Sequence, residues 1–215
     1  MNFFHKIPIF FFNLAYPYKI YGKKNVPKGG AVLVCNHFRA IDCGFIADIY
    51  SKDIYFLAKK ELFKNKFIGK IIKSFGAIPV DRENLDMKSM IASLRVLKDG
   101  HKLVVFPEGT RNKTGTSKLQ PLKGGSMLFA VKAKCPIVPI MLSGKAKPFR
   151  KTHIIVGEPF ELSEFYEKRL SESDIKEMET FVSQKMVEQQ NLLNGLLLNK
   201  KRKSKKTNGN HKGQA

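Results

Sequence analysis

The sequence predicts a single α/β domain with a central, mostly parallel or mixed sheet flanked by helices. Three observations carry this. Short apolar runs recur along the chain, amphipathic stretches separate them, and several runs end abruptly in clusters of His, Asp, Glu and Arg. Strands alternating with helices build parallel sheets, and such sheets collect chemistry at the carboxyl ends of their strands. A length of 215 residues suits one domain, and 43% hydrophobic content with 17 Phe supplies its core.

The elements follow in order. Residues 1–20 form an aromatic segment whose apolar run, Ile7 to Tyr16, is broken by Pro8 and Asn13. It reads either as an interfacial foot or as a helix packed on the domain. No stretch reaches the ~18 apolar residues of a spanning helix. Tyr16-Pro17-Tyr18 follows the run where a signal peptide needs small residues. Val26 to Gly30 reads as a turn, and Ala31 to Cys35 as a buried strand stopping at Asn36-His37. A helix is expected over 40–50, a strand over 54–58 and a helix over 61–75. In that last helix Phe63, Phe67, Ile68, Ile71, Ile72 and Phe75 share one half, with Lys66, Lys70 and Lys73 opposite.

A strand over 77–80 runs into Asp81-Arg82, and a helix over 86–98 is closed by Gly100. The strand 103–106 leads into Pro107-Glu108-Gly109-Thr110-Arg111, and then into a polar loop over 112–119. A helix over 124–133 and strands over 137–142 and 153–156 follow. Pro139 suggests an edge or strand-end position for its residue. The periodicity of Ile175, Met178, Val182 and Met186 predicts a final helix over 173–193. The expected boundaries are a membrane-interfacial segment at 1–20, the domain at 21–198 and a disordered basic tail at 199–215.

The formal net charge is +21; residues 200–215 carry seven of the basic side chains and no acid. The body is basic without them, which favours lipid head groups, nucleic acid or an acidic carrier as partners. Cys35, Cys43 and Cys135 are odd in number and scattered. They suggest neither a disulfide framework nor a zinc site, and fit a reducing, cytosolic-side location.

Three stretches beyond strand ends carry candidate chemistry. His37 has a carboxylate, Asp42, five residues on. A carboxylate can fix the imidazole tautomer and leave the other nitrogen to take a proton from an alcohol. Arg82 either grips a phosphate in a bidentate fork or pairs with Asp81 or Glu83. Arg111 supplies a second fork, Gly109 permits close backbone approach, and Glu108 hydrogen-bonds a hydroxyl or orients Arg111. Each stretch also has a plain structural reading: a satisfied His, a surface Arg, a Gly turn.

Taken together, His37…Asp42, Gly76-Ala77-Ile78-Pro79-Val80-Asp81-Arg82, Phe106 to Arg111 and Pro136 to Ile140 stand in the order of four sequence blocks. This pattern resembles the glycerolipid acyltransferase superfamily, the family of 1-acylglycerol-3-phosphate acyltransferases, over roughly residues 20–160. Ala58 to Phe63 looks like that family's segment between its first two blocks.

The resemblance implies that His37 is the general base, oriented by Asp42. It implies that Arg82 and Arg111 hold the acceptor phosphate, with Lys59 as helper, and that Glu108 and Gly109 shape the acceptor site. The donor is then an acyl thioester, acyl-CoA or acyl carrier protein. The acceptor is a lysophospholipid, by default lysophosphatidic acid, with glycerol 3-phosphate or another lysolipid as alternatives. The reaction needs neither metal, cofactor nor acyl-enzyme. The expected place is the cytoplasmic face of a membrane, peripheral or monotopic, on an anionic surface.

Rival readings explain less. Cys35, two residues before His37, invites a thiol nucleophile, but a buried small hydrophobe is its commoner role. No Gly-x-Ser-x-Gly elbow and no P-loop spacing is present. A non-catalytic basic module for lipid or nucleic acid explains the charge but not the pattern at the strand ends, so no nucleic-acid partner is expected.

Overall fold

A computed structural model describes residues 10–50, 53–81, 87–114 and 118–210. Seven strands form one mixed sheet: β1 (Tyr18–Tyr21), β2 (Ala31–Cys35), β3 (Ile54–Lys59), β4 (Ala77–Val80), β5 (Lys102–Val105), β6 (Ile137–Leu142) and β7 (Thr152–Val156). Their spatial order is β1-β7-β6-β2-β5-β3-β4. All neighbours pair in parallel except β6 and β7. The carboxyl ends of β6, β2, β5, β3 and β4 therefore share one edge of the sheet, called here the catalytic edge.

Among the described residues, and besides a helical stretch at 10–15, the helices that cover the two faces are α1 (Asp42–Tyr50), α2 (Lys66–Ser74), α3 (Met87–Lys98), α4 (Leu128–Ala133) and α5 (Glu172–Asn210). Every residue of β2 and β6 is buried. Such continuous apolar strands need cover on both sides. Val32 and Val34 pack with the side of α3, α4 and α5, whereas Ala31, Leu33 and Cys35 pack with the side of α1. The period of two along β2 thus sorts its side chains into two cores.

Several expectations are corrected by local chemistry. The single helix expected over 61–75 is a 3₁₀ turn at Lys60–Phe63 followed by α2. Asn65 divides them: its Oδ1 accepts from the N–H groups of Phe67 and Ile68, at 3.1 and 3.0 Å. This is an N-cap, and it starts a new helix there. At the end of α3, His101 N–H donates to Val96 O and Gly100 N–H to Leu97 O, with Gly100 at φ 87°. Gly100 caps the helix as expected, and that pair of bonds is a Schellman closure.

Pro139 does not mark an edge, because β6 lies between β7 and β2. Gly157 N–H donates to Pro139 O, so the polar backbone of Pro139 faces the β7 side. β7 has stopped at Val156. The proline removes only the reciprocal donor of this last pair, one residue past the end of β7, and the pairing with β2 loses nothing.

The expected boundary at residue 20 cuts through β1, an edge strand that the aromatic composition concealed. Residues 10–15 are helical, and residues 1–9 of the expected foot lie outside the described residues. The expected disordered tail at 199–215 is also revised: α5 continues as helix to Asn210, and 211–215 lie outside the described residues.

Gly76 joins α2 to β4 at φ 78°, and a Cβ placed there would stand 2.5 Å from Ile54 O. Gly76→Ala meets both a left-handed backbone and a clash with main chain. The expected loss is about 1–3 kcal/mol, read as a lower urea midpoint; a midpoint equal to wild type contradicts this account.

Candidate active site

β2 delivers Asn36 and His37 to the catalytic edge, where the side chains of Asn36 and Glu108 and the main-chain N–H of Asn112 fix them. The Asn36 amide donates to Leu142 O at 3.0 Å and accepts from Leu142 N–H at 2.8 Å. A primary amide carries one donor and one acceptor in the manner of a peptide, so it extends the β2–β6 ladder past its last residue. His37 N–H donates to Glu108 Oε1 at 2.9 Å, and Asn112 N–H donates to His37 O at 2.7 Å. The backbone of His37 is thus held from both directions.

Its ring is held as well. Nδ1 lies 3.1 Å from Asp42 Oδ2, and both residues are buried. The same oxygen accepts from Phe38 N–H at 2.6 Å and Arg39 N–H at 2.7 Å. An ionised carboxylate only accepts, so the contact assigns the ring proton to Nδ1 and leaves Nε2 as the basic nitrogen. The Phe106 ring stacks on the imidazole, with centroids 4.0 Å apart and planes 24° from parallel.

The stretch Phe106 to Arg111 turns at once. Gly109 N–H donates to Phe106 O, placing Pro107 and Glu108 at the centre of a tight turn. Proline suits the first central position of such a turn, and Gly109 then takes φ 69°. Glu108 is buried, and its second oxygen accepts from Gln120 N–H at 3.1 Å. Both carboxylate oxygens are engaged by main chain. Glu108 thereby acts as a splint between β2 and Gln120. Burial pushes its carboxyl above the usual range, against the opposing pull of its two backbone donors and of His37.

An apolar groove of about 350 Å³ opens beside His37. Its near end is His37, Phe106 and Arg111; its far wall includes Phe56, Phe75 and Ala77. α1 contributes only small residues, Cys43, Gly44 and Ala47, with Ala40 just before it, and Phe12 closes over them. A Cβ on Gly44 would stand 2.8 Å from the Phe12 ring, so glycine is what lets this ring lie against α1. Phe12 also packs edge-on against Phe45, and Asp48 binds both Asn13 Nδ2 and Tyr18 OH, at 2.8 and 2.7 Å. A second depression, about 500 Å³ beside α5, holds none of the expected site residues.

Of those residues, the structure brings His37, Asp42, Glu108, Gly109 and Arg111 together, with Lys59 on the groove wall 3.7 Å from Glu61. Arg82 lies outside the described residues; its predecessor Asp81 pairs with Lys60. Sequence reasoning missed Phe106, Asn112 and the bridging role of Asn36, although Asn36 adjoins the His. Cys35 is fully buried, and burial holds its thiol well above the ordinary value, which disfavours a thiolate nucleophile. Among the described residues no group of three or more His, Cys, Asp or Glu could hold a metal ion.

Comparison with known proteins points one way. A model of the Acyltransferase family matches residues 17–143. The 1-acyl-sn-glycerol-3-phosphate acyltransferase of Bacillus subtilis is 38% identical over 154 residues, covering 68% of this chain and 75% of its own. The enzyme of that name from Helicobacter pylori is 34% identical over 125 residues, 56% of this chain and 52% of its own. The crystal structure of the 1-acyl-sn-glycerophosphate (LPA) acyltransferase PlsC from Thermotoga maritima superposes with a TM-score of 0.62 at 24% identity, over 86% of this chain and 76% of that one. This last likeness is one of fold.

Glu108→Gln replaces two acceptor oxygens by one and faces an NH₂ toward a backbone N–H. A loss of about 1–3 kcal/mol in unfolding free energy is expected. The raised carboxyl adds a pH signature: its contribution to folding is full below 4.5 and declines as pH rises through the elevated folded value. Subtracting the variant's stability profile from the wild type's should expose that decline; parallel profiles would refute it.

Proposed function

Because the chain belongs to the acyltransferase family, we propose that it transfers a fatty acyl chain from an acyl thioester, on coenzyme A or acyl carrier protein, to the sn-2 hydroxyl of lysophosphatidic acid. The product is phosphatidic acid. The observation that carries this reading is the placement of a buried His37–Asp42 pair at the mouth of an apolar groove that also holds Arg111.

In the proposed reaction His37 Nε2 takes the proton of the acceptor hydroxyl while the oxygen attacks the thioester carbonyl. A C–O bond forms, the tetrahedral oxyanion collapses, and the C–S bond breaks. The imidazolium returns its proton to the departing thiolate, so no acyl-enzyme forms. Asp42 stabilises the imidazolium between these steps. Arg111 is offered as the fork for the acceptor phosphate, with Arg82 and Lys59 as further cations and Gly109 as close-approaching backbone. The groove between α1 and α2 receives an acyl chain.

The proposed site of action is the cytoplasmic face of a membrane. Among the described residues no helix is long and apolar enough to cross one. Phe10 and Phe11 are 66% and 60% exposed, and on α2 Phe67, Ile68 and Ile71 are exposed beside Lys64, Lys66 and Lys70. Exposed apolar side chains next to cations suit an interfacial docking surface. All three cysteines are free, in keeping with a reducing compartment.

The test is acyl transfer to lysophosphatidic acid in vesicles, with acyl-CoA and acyl carrier protein supplied separately, for wild type and His37→Ala. A loss of ~10²–10⁴ in kcat is expected in the variant. An undiminished variant removes His37 from the mechanism. No transfer from either donor redirects the reading to glycerol 3-phosphate or another lysolipid as acceptor.

A further inference from the structure

The catalytic edge carries a second feature that the reaction does not use. β7 runs antiparallel to β6, with Leu142 opposite Ile154, so the loop over 144–151 stands at the catalytic edge. Leu142 is also the residue bridged by Asn36. In this loop Lys145, Lys147, Arg150 and Lys151 are exposed, and the loop contains no acid.

Phe149 at the loop's tip is 78% exposed and adopts φ 56°. A bulky side chain rarely takes that conformation, and such strain persists only where the surroundings impose it. Here Phe149 N–H donates to Ala15 O at 2.7 Å, tying the loop to the segment that exposes Phe10 and Phe11. The bond fixes an apolar ring outward among four cations.

α5 runs toward the same edge. Gln189 packs on Gly157, just past the end of β7, at the opposite edge of the sheet. Eleven residues later Lys200 is close to His153, at the start of β7. Desolvation, then Lys200, Lys151 and Lys19, hold the His153 imidazole below its ordinary value. From Gln189 onward the helix therefore runs from the far end of β7 toward its start, on the side of the loop over 144–151. Its continuation to Asn210 extends about 15 Å further. Residues 200–206 contain six Lys or Arg and no acid.

We propose that the β6–β7 loop and the polybasic end of α5 form an anionic-lipid-binding surface, in which the Phe149 ring enters the acyl layer while the cations around it hold headgroup phosphates. The inference deepens the membrane-surface reading above and rests on it for its purpose. Charge alone suits an acidic protein equally. The ring held outward by a strained backbone, adjoining further exposed aromatics, selects a bilayer, which alone offers an apolar layer beneath a layer of phosphates.

The test compares binding of the full chain to sedimented vesicles of phosphatidylcholine, alone or mixed with phosphatidylglycerol. Phe149→Gly removes the ring and relieves the left-handed strain, so folding is preserved. Arg150→Gln with Lys151→Gln removes two cations. Acyl transfer in detergent micelles is measured in parallel.

The expected results are a loss of about fivefold per cation on anionic vesicles only, and about tenfold for Phe149→Gly on both kinds, with micellar transfer unchanged. Vesicle binding equal to wild type in both variants overturns the proposal. So does a loss confined to transfer from acyl carrier protein, which assigns the surface to an acidic protein. Wild-type binding of the expected pattern without any acyl transfer upholds the surface while the proposed function falls.

Discussion

A single carboxylate oxygen governs the site: Asp42 Oδ2 receives the N–H groups of Phe38 and Arg39 and the imidazole of His37. The chain must leave β2 and enter α1 within a few residues, and the orphan donors of that turn need an acceptor. Asp42, first residue of α1, supplies it. The carboxylate that shapes the turn is therefore the one that sets the imidazole tautomer. On the proposed mechanism folding and chemistry use one group, and the geometry for proton transfer exists before any ligand arrives.

The same economy extends along the catalytic edge. Where a parallel sheet ends, its last N–H and C=O groups lose their partners, and buried ones must find others. Asn36 serves Leu142, Glu108 serves His37 and Gln120, and Asn112 serves His37. Two polar side chains and one main-chain N–H continue the sheet by about one residue beyond its ladder. This continuation holds a buried His in an otherwise apolar neighbourhood formed by Phe106, the groove and α1.

Much of this was legible in the residues themselves. Period-two and unbroken apolar runs located six of the seven strands, because burial on one or both faces leaves a direct compositional trace. β1 escaped because Tyr18-Lys19-Ile20-Tyr21 is an edge strand continuing an aromatic run, where composition hides the change of period. Pro139 misled because its tolerance depends on where the neighbouring strand stops, a tertiary fact. His37, Asp42 and Arg111 were visible from residue type and position after strands. The duty of Glu108 was not, since its partners are backbone N–H groups, which every residue but proline carries. The length of α5 was concealed by its lysines, which read as solvated chain but are compatible with helix.

The seat of Phe12 against Gly44 has a consequence for traffic. One wall of the groove is supplied by the segment that exposes Phe10 and Phe11. Lifting a sixteen-carbon chain through water carries a barrier of roughly 12 kcal/mol at ~0.8 kcal/mol per methylene. On the proposed docking, a groove walled by the interfacial segment lets the chain slide sideways between lipid and protein, always in hydrocarbon. Turnover is then governed by lateral diffusion within the leaflet, and the enzyme works as a two-dimensional catalyst whose relevant concentrations are mole fractions of lipid.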